Sequence, residues 1–129
     1  MPISVVGGQG SEVTKTVSPP TIPGPFGITI SHNNWNTDWA VPGDRYFQRF
    51  IATITAEKGG EFDIRMYLKY SDQTADESYN VQAYQLEPQQ PLTIKGMPRP
   101  NNQPYQINLF VGGLKATDKT YKASVQGCF

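Results

Sequence analysis

The sequence predicts an all-β fold: an antiparallel β-sandwich of immunoglobulin-like or jelly-roll type, with an extended Pro/Gly-rich N-terminal arm. Three observations lead there. Apolar residues recur at every second position in several short windows, which is the period of a half-buried strand. Gly 12 and Pro 11 are spread along the 129 residues, so few windows can carry a long helix. Turn-forming clusters separate about seven such windows, the spacing expected of a sandwich.

The clearest stretch is residues 50–70. Phe50, Ala52, Ile54 and Ala56 share one parity with Phe62, Ile64, Met66, Leu68 and Tyr70, while Glu61, Asp63, Arg65 and Lys69 fall between them. Lys58-Gly59-Gly60 offers positive φ without a Cβ penalty. The expectation is therefore a hairpin that pairs Ala56 with Phe62, Ile54 with Ile64 and Phe50 with Leu68. This register would leave Phe47, Ile51 and Tyr67 on the outer face, with Ile51 opposite Tyr67 as the centre of an interface.

The remaining elements follow in chain order. Residues 1–25 hold Gly7-Gly8, Gly10 and the run Pro19-Pro20-Thr21-Ile22-Pro23-Gly24-Pro25, so they read as an arm outside any ladder, with the folded domain at 26–129. Residues 26–31 (FGITIS) read as a strand, and residues 32–44 as a polar loop. Residues 46–56 form the first arm of the hairpin, and residues 71–77 an acidic connector. Residues 78–86 put Tyr79, Val81 and Ala83 on one face, after which Tyr84 and Leu86 shift parity, as a β-bulge would make them. Short strands follow at 92–94, at 105–111 with Tyr105, Ile107, Leu109 and Val111 inward, and at 120–126 with Tyr121, Ala123 and Val125 inward.

Composition narrows the function. Lys+Arg 11 against Asp+Glu 11 gives a formal net charge of zero, without the clustered cations that reward nucleic-acid or anionic-membrane binding. Cys128 is the only cysteine, which leaves no internal disulfide and no zinc knuckle, and makes a crosslink between copies its sharpest use. The first residues lack the pattern of a secretory signal, and no run approaches the roughly 20 apolar residues of a membrane-spanning helix. The expected setting is synthesis in the cytoplasm without a signal peptide.

His32 is the sole candidate imidazole base, and no nucleophile elbow, phosphate-cradling glycine motif or zinc-binding helix accompanies it. Asp72, Asp76 and Glu77 are too few, without a glycine turn, to make a calcium loop. No catalytic residue, cofactor or metal is therefore assigned, and the protein reads as a non-enzyme. The suggestive surface chemistry lies in two loops. Asn33, Asn34, Trp35, Asn36, Asp38 and Trp39 join indoles to amides and a carboxylate, the combination that sugars reward, and Arg99, Asn101 and Asn102 offer related polar groups beside Gln103.

Two functions follow. The first is a structural or assembly protein, such as a virion accessory that decorates or cements a capsid or tail, acting through the arm and an exposed sheet face and partnered by copies of itself or by other proteins. The alternative is a carbohydrate-binding module that uses the loop 32–44 on a glycan.

Overall fold

The computed structural model describes residues 1–20 and 34–129. Among these described residues nine strands follow in order: β1 (Ser4–Val5), β2 (Glu12–Thr16), β3 (Asn36–Ala40), β4 (Arg49–Ala56), β5 (Gly60–Lys69), β6 (Ala75–Leu86), β7 (Leu92–Gly96), β8 (Gln106–Gly112) and β9 (Thr120–Cys128), with a 3₁₀ turn at Leu114–Ala116. They form two antiparallel sheets packed as a sandwich, one ordered β1-β3-β8-β5-β6 and the other β2-β9-β4-β7. The strand expected at residues 26–31 lies outside the described residues, as do His32 and Asn33.

The period-two reading places the core correctly. Phe50, Ala52, Ile54 and Ala56 of β4 and Tyr121, Ala123 and Val125 of β9 face Phe62, Ile64, Met66 and Leu68 of β5 and Ile107, Leu109 and Val111 of β8, each no more than 2% exposed. Burial of these side chains is the main favourable term in the fold. Tyr121 is part of this layer, and burial pushes its phenol from 10.0 up to about 12. The folded state thus resists ionisation that the unfolded chain accepts. Its contribution is intact below pH 10 and is lost as pH rises from 10 to about 12, a loss of about 2–3 kcal/mol expected in urea titrations across that range.

The pairing differs from expectation. β4 and β5 are not a hairpin: β4 pairs with β7 and β9, and β5 with β6 and β8. The turn through Gly59 (φ 70) and Gly60 (φ 138) carries the chain from one sheet to the other. Strands that face each other across a core point their inward residues at one another with the same parity as laterally paired strands do, so the alternation alone does not separate the two arrangements. Ile51 and Tyr67 consequently sit on opposite outer faces, Ile51 beside Lys95 and Gln126, Tyr67 beside Glu77 and Asn108.

Residues 1–18 are also not an arm outside the ladders. β1 pairs with β3 and β2 pairs with β9, and Val17 is buried. Alternation within Glu12–Thr16 is carried by single valines and by threonines, a weak pattern that the neighbouring glycines and prolines obscure. Residues 32–44 are not wholly loop either: β3 alternates Thr37 and Trp39 inward with Asn36, Asp38 and Ala40 outward. Asn and Asp disfavour strands, but pairing with β8 on one side and β1 on the other overrides that preference.

The expected bulge in β6 is present. The register against β5 shifts between Tyr84 and Val81, where Ala83 takes φ 56 and donates its N–H to the Asp63 carboxylate at 2.9 Å. A second shift falls between Tyr79 and Glu77. Ala83 is thus the bulged, exposed residue and not a third inward one, and Tyr105, expected inward, is 49% exposed at the mouth of β8.

Candidate functional site

The strands β3, β5, β7 and β9 end side by side, so the loops that follow them meet at one end of the sandwich. Ala40 and Lys69 both oppose Gln106, and Phe50 opposes Gly96 and Gly127. Residues 41–48, 70–74 and 97–105 gather there with Phe129.

Arg99 organises this end. Its Nε and Nη2 each donate to the Asp76 carboxylate at 2.8 Å, its Nη1 donates to Thr74 Oγ1 at 2.9 Å, and its guanidinium lies 4.0 Å over the Tyr70 ring. Its backbone N–H donates to the Tyr70 hydroxyl at 2.9 Å. The Arg99 hydrogen bonds hold the Asp76 carboxyl below its ordinary value of 3.8, and hydrogen bonds from Thr74 do the same, chiefly, for Asp72. Folded values below the unfolded one mean that these contacts stabilise the loop above pH 3.8 and are lost as pH falls through the lowered values. The amide resonances of Asn101 and Asn102 should therefore stay fixed from neutral pH down to about 4 and move only below it. Movement at near-neutral pH would contradict this assignment.

Behind Arg99, Pro98 and Pro100 restrict the backbone, and Asn101 (φ 57) turns it so that the Asn102 N–H reaches the Arg99 carbonyl at 3.2 Å. Gln103 ties this loop to the next: its Oε1 accepts from the Phe47 N–H at 3.2 Å and its Nε2 donates to the Phe47 carbonyl at 3.0 Å. Phe47, expected outward, is buried. It precedes β4, where the alternation does not yet apply, and its ring packs on Phe50 (5.4 Å between centroids) and on Phe129 (5.1 Å). Gly127 leaves room for it, since a Cβ there would run into the Phe47 ring.

Between these loops lies a groove of about 400 Å³ whose lining includes Tyr46, Gln48, Asn101, Asn102, Gln103 and Phe129. Tyr46 is 73% and Phe129 63% exposed. Arg45 covers part of Phe129 with its guanidinium 5.9 Å from the ring centroid. Two rings that present apolar faces, flanked by amides that both donate and accept, suit a ligand with flat C–H faces and hydroxyl rims. Of the candidate residues Arg99, Asn101 and Asn102, all three line this groove, but only the two asparagines are available to a ligand, because Arg99 is occupied. Tyr46 and Phe129 were not anticipated. The usable signal was the adjacent pair Tyr46-Phe47, of which one ring only can turn inward.

The Asn/Trp stretch lies elsewhere. Trp39 is fully buried and donates Nε1–H to the Ser11 carbonyl at 2.7 Å. Trp35 is half-buried, donates to the Ser18 carbonyl at 2.9 Å, and packs edge-on to Phe110 above Gly112. Asn34 is spent on Ser18 and Thr16, its Oδ1 accepting from the Ser18 N–H and its Nδ2 donating to the Thr16 carbonyl, each at 2.9 Å. Asn36 and Asp38 point outward from β3, Asp38 accepting from Asn108 Nδ2 at 2.9 Å. Neither indole is an open platform.

Both carboxylates with displaced titration, Asp72 and Asp76, move down, whereas a general acid at neutral pH needs the opposite shift. Among the described residues no three His, Cys, Asp or Glu side chains gather as a metal site.

No sequence-family model matches the chain, and no curated protein matches it. The chain is similar to a solved structure, that of the CBM22-1 xylan-binding domain of Xyn10C from Paenibacillus barcinonensis. The likeness covers 96% of this chain and 84% of that one, at 10% identity and a TM-score of 0.37.

Proposed function

We propose that this protein is a non-catalytic binding module that takes carbohydrate in the groove at the loop end of the sandwich. The observation that carries the reading is the pairing of two exposed rings, Tyr46 and Phe129, with the free amides of Asn101 and Asn102 across one groove. A rigid support favours affinity because little loop ordering is left to pay for, and here Arg99, Gln103 and two prolines supply it. A glycan array with the wild type and the variants Tyr46→Ala and Phe129→Ala tests it. Each variant should lose at least about tenfold in affinity, the equivalent of about 1.4 kcal/mol. Unchanged signals in both variants would remove the reading.

An assembly role loses two of its supports, since residues 1–18 are woven into the sheets and Ile51 and Tyr67 do not adjoin. One observation still favours a protein contact as a second reading: Met97 and Tyr105, 62% and 49% exposed, lie at the same end as Tyr46 and Phe129. Self-association through this end would give a native mass above that of one chain that falls in Tyr46→Ala. A strictly monomeric mass would end it.

A further inference from the structure

We propose that the outer face of the five-stranded sheet is a second ligand site, with Arg65 as the anchor for the carboxylate of an acidic sugar. Across this face runs a row of side chains from four adjacent strands: Asn36, Phe110, Arg65 and Asn80. The Arg65 guanidinium lies 4.8 Å over the Phe110 ring, and Phe110 is braced edge-on by Trp35 at 5.6 Å. Trp35 is itself pinned by the Ser18 carbonyl and by the space that Gly112 leaves. The charge is therefore held in place by stacking before any ligand arrives.

What the stacking does not provide is an acceptor. Arg65 Nε is buried and unpartnered, and the side chain makes no hydrogen bond or ion pair among the described residues. That donor is closed off from solvent and beyond a ligand's reach, whereas the two terminal nitrogens are not closed off and have no partner among the described residues. The acids around it are already engaged: Asp38 by Asn108 and Lys69, Glu77 by the Tyr67 hydroxyl, Asp63 by the Ala83 N–H, and Glu61 by Lys115. Arg65 is left as the unmatched charge of the face. A planar guanidinium with unused donors takes a carboxylate in a two-point contact. The exposed amides of Asn36 and Asn80 stand at the two ends of the row, placed for the hydroxyls of the same ligand. A uronic acid residue combines these groups. Choosing it over an acidic peptide rests on the carbohydrate reading above, although the site is separate from the groove.

The test is a titration of the intact protein with a homogalacturonan oligomer and with its fully methyl-esterified form. The acid form should bind, weaken with added salt, and lose about tenfold in affinity with Arg65→Gln, whereas the ester should bind weakly and be indifferent to that change. Arg65→Lys, which keeps the charge without the fork, should fall between wild type and Arg65→Gln, and it carries the test where Arg65→Gln fails to match the wild-type thermal transition. Tyr46→Ala should leave this binding unchanged, which separates it from the groove: a wild-type protein that bound the acid form but no neutral sugar would sink the groove and leave Arg65 standing. No binding of the acid form, equal binding of the ester, an Arg65→Gln variant that binds as wild type, or equal Arg65-dependent binding of a poly-glutamate peptide would overturn the proposal.

Discussion

Trp39→Ala is expected to destabilise the protein by about 3–5 kcal/mol, the range for removing a large buried aromatic side chain. Trp39 is fully buried on β3, and its Nε1–H satisfies the Ser11 carbonyl between β1 and β2. Truncation leaves a cavity and an unpaired acceptor together, and the second loss adds to the first. Because β3 bridges β1 to β8, the segment before residue 20 should loosen first. Trp39→Phe, which refills much of the volume without the donor, should recover part of the loss. Chemical denaturation of the three proteins checks this, and a midpoint for Trp39→Ala equal to wild type would show that the indole is not in the core.

Gly127→Ala should have the next largest effect, and it acts on stability and on the groove together. The added methyl would collide with the ring of Phe47, which is itself wedged against Phe50 and Phe129. Overpacking of this kind costs about 1–3 kcal/mol. The displacement passes along the aromatic stack to Phe129 and, through the paired hydrogen bonds of Gln103, to the Asn101–Asn102 turn. The expected result is a lower thermal midpoint together with weaker sugar binding. Retained wild-type affinity would mean that Phe129 does not depend on Phe47 for its position.

Much of the fold is legible in the residues themselves, because inward and outward positions alternate wherever a strand is half-buried. Phe50 to Ala56, Phe62 to Leu68 and Tyr121 to Val125 all sit where parity puts them. The bulge before Tyr84 is legible for the same reason, since only an extra residue lets Val81 and Tyr84 face the same side. Parity says nothing about lateral neighbours, so the turn at Gly59-Gly60 reads equally as a hairpin or as a crossing between sheets. Weakly apolar strands such as Glu12–Thr16 are built by pairing with distant segments, and no local pattern announces them. The candidate site is legible only in part. Asn101 and Asn102 stand out as polar residues among prolines, but Tyr46 and Phe129 join them only through the convergence of loops far apart in the chain.

The most direct measurement is a two-dimensional amide NMR titration of the wild-type protein with a neutral oligosaccharide selected on the array. Saturable shifts are expected at Tyr46, Gln48, Asn101, Asn102 and Phe129, with the opposite end of the sandwich around Leu114 silent. Saturable shifts that leave those five residues untouched would contradict the groove as the binding site.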